Sequence, residues 1–288
     1  RGGGLYYWDA TGGLTTRGVL LSSLGGTVSF TNASPTVVTS TILYTEGAAL
    51  QFSGGSLPTG ITAGTTYYVF EVNGLTFKLL DSAGAAVNTS STGTGVYISL
   101  LVDVPTILNT LAVSDTSRFV ITFGCNDYGS ATLDPMLIRW SSQDDIYNWT
   151  PDPTNQAGFI RISHGSEIVS VVQTRQEVVI FTDSAIYSLQ YLGPPYVWAP
   201  QLLGDNISII STNAAIIASG VLYWMGVDKF YVYDGRVNTL NCDLRRFVFG
   251  DLNQQQALQV FAGTNEGFNE VWWFYCSANS STIDRYVI

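Results

Sequence analysis

The chain has 288 residues, of which 46% are hydrophobic and 13% aromatic, enough to fill a substantial core in one large fold or two domains. Twelve basic against twenty-two acidic residues give a formal charge of −10, which works against grip on a phosphate backbone through a basic stripe. Apolar runs are broken every few residues by Gly, Ser, Thr, Asn or Asp, so none approaches the ~20 residues needed to cross a bilayer as a helix.

The chain opens on Arg1-Gly2-Gly3-Gly4, without an initiator Met and without the charged and apolar regions of a signal peptide. Leu5-Tyr6-Tyr7-Trp8-Asp9 follows, a strand signature that returns later as Phe230-Tyr231-Val232-Tyr233-Asp234. From Leu24 to Leu101 the composition changes. These 78 residues hold 34 Gly, Ser or Thr and four charged residues, in a chain that is 12% charged overall. Period-2 alternation persists through the block. A turn at Pro58-Thr59-Gly60, a strand at Tyr67-Tyr68-Val69, a tight turn at Asn73-Gly74 and a returning strand from Thr76 to Leu79 predict a small all-β module, expected here as a sandwich.

Beyond the block, β-hairpins repeat. In "EVVIFTDSAIYSLQY" and "GVLYWMGVDKFYVYDG" an apolar segment, a short polar turn and a second segment rich in aromatic and β-branched residues follow one another. The same form stands in "RFVITFGCNDYGSATLDPMLIRWS" and in "NEVWWFYCSANSSTIDRYVI". The second strands begin near residues 136, 186, 230 and 285, at intervals of 50, 44 and 55, close to the ~40 to 50 residues of a four-stranded propeller blade. The interval from residue 5 to 136 is 131, and removing the 78-residue block brings it to 53. The expected organisation is an all-β propeller (1–23 and 102–288) with an inserted Gly/Ser/Thr-rich all-β domain at 24–101. Helical signal is confined to 243–259, where Asp243 is expected to cap a turn before Leu244, and Asn253 a short helix through Gln254 and Gln256. The chain stops on Tyr286-Val287-Ile288, three strand-forming residues. Since termini not tied into a sheet are usually polar and frayed, both ends read as cuts, with further strands expected to pair against Trp272 to Tyr275.

Chemical motifs are sparse. Ser142-Gln143-Asp144 with Trp149 approximates an S-x-D-x-G-x-x-W turn of sialidase-like propellers, with Ile146 in the glycine position. Asp144 and Asp145 are adjacent, so on a strand they would point to opposite faces and could not flank a glycosidic bond. The single histidine, His164, lies beside Ser163, Ser166 and Glu167, but neighbours along one strand cannot converge as a triad. Cys125, Cys242 and Cys276 are odd in number and lack C-x-x-C spacing, so they read as free thiols rather than a disulfide frame or zinc site. No Gly-rich phosphate loop precedes a helix. The sequence therefore predicts no enzyme, no cofactor and no metal. Candidate interface or lumen residues are the Arg245-Arg246 pair, Tyr196 and Trp198 of the rigid "GPPYVW" loop, and Asp144 and Asp145.

The segments "NDYGSATLDPMLIRWSSQDDIYNWTP", "ISHGSEIVSVVQTRQEVVIFTDSAIYSLQYLGPPYVWAPQLL", "YWMGVDKFYVYDGRV" and "VFAGTNEGFNEVWWFYCSANSSTIDRYVI" together resemble the tail nozzle, or head-to-tail stabilisation (tail tubular), proteins of short-tailed bacteriophages. The resemblance covers residues 1–23 and 102–288; that of "LPTGITAGTTYYV" to modules of phage virion proteins is weaker. It implies a structural virion protein in the tail, assembled in the host bacterial cytoplasm as a homo-hexamer. It also implies contact with a tail adaptor and with tail fibre, spike or needle proteins. The resemblance further implies that double-stranded DNA passes through the lumen without specific binding and that the inserted domain is available to the host cell surface. The acidic residues Asp127, Asp134, Asp144, Asp145, Asp228, Asp234, Asp251, Glu266 and Glu270 are the candidates for a lumen wall that repels DNA. The alternative is a carbohydrate-binding, lectin-like or sialidase-like propeller for receptor recognition, whose exposed aromatics stack on sugars.

Overall fold

A computed structural model of the chain describes residues 2–8, 17–21, 25–100 and 103–288. The fold is all-β. The chain gathers into two compact units, one of Arg1–Gly2, Leu108–Asp144 and Pro151–Ile288, the other of Gly3–Ile107 and Asp145–Thr150. Among the described residues no helix is long and apolar enough to cross a membrane.

In the unit that contains residues 3–107, strands β1 (Tyr6–Tyr7) and β2 (Val19–Leu20) pair, among the described residues, with each other. Asp9, the end of the front signature, lies outside the described residues. Six strands follow: β3 (Gly25–Phe30), β4 (Val38–Ser40), β5 (Ala49–Ser53), β6 (Tyr67–Asn73), β7 (Thr76–Leu80) and β8 (Val96–Leu100). They form a closed barrel in the order β3-β4-β7-β6-β5-β8, with β8 pairing back onto β3. The predicted sandwich is thus corrected to a barrel. Strict alternation puts Leu50 and Phe52 of β5, Tyr67 and Val69 of β6, and Phe77 and Leu79 of β7 inside, and that pattern is the same for both architectures. Phe52 packs edge-on against Phe30 at 5.1 Å and tilted on Tyr67 at 5.8 Å. Ile61 N–H donates to Pro58 O at 3.0 Å across the expected turn, with Gly60 at φ +108. Gly55 has no alternative: at φ +47 a Cβ there would lie 1.9 Å from Thr94 O.

The other unit is a run of antiparallel sheets. The first contains β9 (Leu108–Val113), β10 (Val120–Asn126), β11 (Leu133–Trp140) and β12 (Gly158–Arg161); the second β13 (Ile168–Gln173), β14 (Glu177–Thr182), β15 (Ala185–Gly193) and β16 (Val197–Asp205). The third holds β17 (Ala215–Ala218), β18 (Val221–Met225), β19 (Phe230–Tyr233) and β20 (Val237–Leu240), and the fourth β21 (Phe261–Asn265), β22 (Glu270–Tyr275) and β23 (Arg285–Val287). Every strand pairs with its sequence neighbour, so each sheet is a meander. The four predicted hairpins are β10-β11, β14-β15, β18-β19 and β22-β23, and their second strands start at or within a few residues of the expected positions. In the first hairpin the register shifts between Phe123 and Cys125, where Gly124 takes φ +57 and a Cβ would crowd Asn109 and the Pro135 carbonyl.

The sheets pack face on face in chain order. Phe123, Ile138 and Trp140 of the first share a core with Ile180 and Leu189 of the second. Phe181 of the second meets Trp224 of the third, and Phe230 of the third meets Trp273 of the fourth, at 5.2 and 4.9 Å between ring centroids. The first strands lie close to one another: β9 neighbours β13 and β17 neighbours β21, Ser170 Oγ donates to Thr212 O at 2.6 Å, and Asn213 bridges Phe261 in parallel.

Two expectations need correction here. β22 is paired on both sides from Trp273 to Tyr275, by β21 and by β23, so those three residues have no edge left for an added strand. The short α-helix α1 (Arg245–Asp251) starts at Leu244 without any side-chain cap, so Asp243 does not cap it. The 3-10 turn Gln254–Gln259 does use Asn253, whose side chain accepts from Gln255 N–H at 3.1 Å.

Candidate functional site

The residues singled out in the sequence lie on separate elements. Arg245, at the start of α1, donates Nε to Asp228 O at 2.7 Å and faces the Asp228 carboxylate at 3.3 Å. Arg246 is exposed and has no ion-pair partner among the described residues. In the turn between β15 and β16, Tyr196 is 76% exposed whereas Trp198 is buried at 4%, set against Phe119 and Tyr191. Trp198 is therefore a core residue and Tyr196 a surface one. Asp144 takes φ +59 and pairs with Arg118 Nε at 3.0 Å. Asp145 Oδ1 accepts from Tyr147 N–H at 2.9 Å, and Trp149 Nε1 donates to Ile146 O at 2.7 Å. Both carboxylates at 144 and 145 are thus engaged locally, as turn-forming residues are.

The serine and histidine near 164 also separate. His164 Nδ1 lies 2.8 Å from Tyr187 Oη and 3.2 Å from Ser163 Oγ, while Ser166 donates through its N–H to Asp183 Oδ1 at 2.8 Å and through its hydroxyl to Oδ2 at 2.5 Å. Burial works to raise the Asp183 carboxyl, but hydrogen bonds from Ser166 and from backbone N–H groups outweigh it and hold it below the usual range. This is a strapped turn, in which the Ser166 hydroxyl goes to Asp183 and not to His164.

Among the acids proposed for a lumen, Asp134 pairs with Arg161 at 2.7 Å and Asp251 faces Arg285 at 3.8 Å, in addition to Asp144 and Asp228 above. Asp127 Oδ1 accepts from Tyr128 N–H at 2.7 Å, and Glu270 accepts from Trp272 Nε1 at 3.1 Å and Asn265 Nδ2 at 3.3 Å. Asp234 and Glu266 keep side chains without partners among the described residues. They share a cleft of about 1,110 Å³ where turns between strands meet at one end of the sheet-bearing unit.

One group in that cleft was not marked by the sequence. Glu177 opens β14, and its Oε1 accepts from Tyr233 Oη at 2.7 Å while Oε2 accepts from Ser188 Oγ and from Gln190 Nε2. Burial first, and then the hydrogen bond and negative charge of Glu177, push the Tyr233 phenol far above its ordinary value. The cross-strand partner Gln190 was legible from the hairpin register; Tyr233, on the next sheet, was not.

The fourth sheet carries a second feature. Its face away from the core holds Phe261, Trp272, Phe274 and Tyr286, with Phe261 stacked on Phe274 at 4.7 Å and Trp272 on Tyr286 at 4.9 Å. Rings this close and within 16° and 30° of parallel cover one another's faces and present edges outward, so they do not form a flat platform for sugar rings. No protein-family model matches the chain, and no curated protein is significantly similar to it. Among the described residues no group of three His, Cys, Asp or Glu side chains is placed to hold a metal ion.

Proposed function

We propose that the chain is a structural segment of a short-tailed phage tail, a propeller that rings the path of the genome in six copies. One observation carries the reading. Three successive four-stranded meanders and a three-stranded one, each stacked on the next with first strand near first strand, are in keeping with propeller blades, and the segments that resemble nozzle proteins fall on these sheets. Exposed apolar side chains give further support. Phe247, Leu258, Phe268 and Tyr286 are between 57% and 76% exposed, and large apolar surface in a chain of this acidity suits a protein that is buried in an assembly.

A closed ring of identical subunits repeats one heterologous contact by rotation. Net acidity multiplied around such a ring keeps double-stranded DNA off the wall, so that the genome is retained by other parts and slides when released. Four of the nine candidate acids face arginines; of the other five, Asp127, Asp145 and Glu270 accept hydrogen bonds, and Asp234 and Glu266 at the turn end are the most open contributors to a repulsive rim. Electron microscopy of the purified protein tests the reading. Class averages with six-fold symmetry are expected, and particles that stay monomeric at micromolar concentration overturn it.

A further inference from the structure

The cleft at the turn end encloses about 1,110 Å³, and several of its side chains are not used to hold the fold. It is bounded by the turn after β13, the two-residue turn Ser219-Gly220 between β17 and β18, the turn Asp234-Gly235 between β19 and β20, and Glu266 after β21. Ser219 and Gly220 both take positive φ, at +50 and +82, which fixes a tight hairpin at the cleft wall. Around the rim Arg175, Gln176, Asp234 and Glu266 point polar groups that have no hydrogen-bond or ion-pair partner among the described residues. The floor is different in kind. Ile217, Leu222 and the ring of Tyr233 line it, and the Tyr233 hydroxyl is already spent on Glu177.

We infer that this cleft binds a neutral oligosaccharide. The rim offers two carboxylates that only accept, one guanidinium that only donates, and one amide that does both. A ligand satisfying all four must present groups that both donate and accept at short spacing, as vicinal hydroxyls do. An anion meets the carboxylates of Asp115, Glu177, Asp234 and Glu266 against the single cation Arg175. A basic peptide neutralises the carboxylates but sets its own charge against Arg175. The apolar floor suits the C–H faces of pyranose rings, and a volume of about 1,110 Å³, at the upper end for ligand sites, accommodates several rings rather than one. The inference stands on the cleft alone and holds whether or not the chain forms a ring.

The test follows the backbone amides of Gly220 and Gly235 by NMR while the full chain is titrated with maltohexaose, cellohexaose and chitohexaose, and separately with hexalysine. At least one hexasaccharide should shift both amides at low-millimolar concentration. The double variant Gln176→Ala/Asp234→Ala, whose side chains are exposed on turns, should weaken that binding about tenfold or more with unchanged thermal unfolding. Arg246→Ala, on α1, should leave it intact. Silence with all three sugars overturns the inference, as does binding that survives the double variant. Shifts produced by hexalysine alone and removed by salt assign the cleft to basic peptides and overturn it equally.

Discussion

Tyr233 donates its phenolic hydroxyl to Glu177 across 2.7 Å, tying the third strand of the third sheet to the second strand of the sheet before it. This is a polar bond between two stacked sheets whose other contacts are mainly apolar. The carboxylate keeps Ser188 and Gln190 as donors when the phenol is removed. Tyr233→Phe should therefore cost about 1.5 to 3 kcal/mol, the range for a hydrogen bond to a charged group, with the lower end expected because the other donors remain. Urea unfolding of the variant measures this, and a change below about 0.3 kcal/mol, within the spread of neutral surface substitutions, would show that the bond contributes little.

Alkaline pH should weaken the barrel through Tyr44. Burial pushes the Tyr44 phenol up to about 12, although its neighbour Ser40 works to lower it. The folded value lies above the unfolded one, so its contribution is complete below pH ~10 and is lost as pH rises from there through the folded value. The loss amounts to roughly 2 to 3 kcal/mol by pH 12. Tyr44→Phe should flatten this part of the stability curve, followed by far-ultraviolet circular dichroism of the isolated barrel.

The barrel should be removable. Gly25 and Ser99 are direct partners in the β3-β8 ladder, so the chain enters and leaves the barrel at points about 5 Å apart, a gap that a short Gly-Ser linker closes. Replacing residues 25–100 by such a linker should leave the sheet-bearing unit with its cooperative unfolding transition, and residues 25–100 alone should fold. Loss of cooperativity in the shortened chain would mean that the barrel is part of the larger core.

Thiol chemistry should distinguish the three cysteines. None is bridged; Cys125 and Cys276 are buried, and Cys242 is half-exposed. Burial pushes the Cys125 thiol up to about 11, which leaves almost no thiolate at neutral pH. A native chain should titrate about one fast thiol with a disulfide reagent, and all three after denaturation. Rapid labelling of Cys125 in the native protein would contradict its burial.

Sequence alone determined the strands and much of their pairing. Hairpins are local: alternation selects the buried face, turn residues such as Asn73-Gly74 fix the reversal, and each strand of the larger unit finds its partner next in the chain. Asn253 was legible for the same reason, because a cap bonds two or three residues away. Contacts that join distant residues were decided only by the tertiary structure. Closure of β8 onto β3 turned an expected sandwich into a barrel, since both present the same period-2 pattern and differ only in whether the outer strands meet. Trp198 went inside and Tyr196 outside although both lie in one aromatic loop, because the neighbouring rings Phe119 and Tyr191 cover only one of them. The cleft carrying Arg175, Gln176, Asp234 and Glu266 gathers turns from across the unit, and no local rule in a sequence specifies which turns end up side by side when sheets stack.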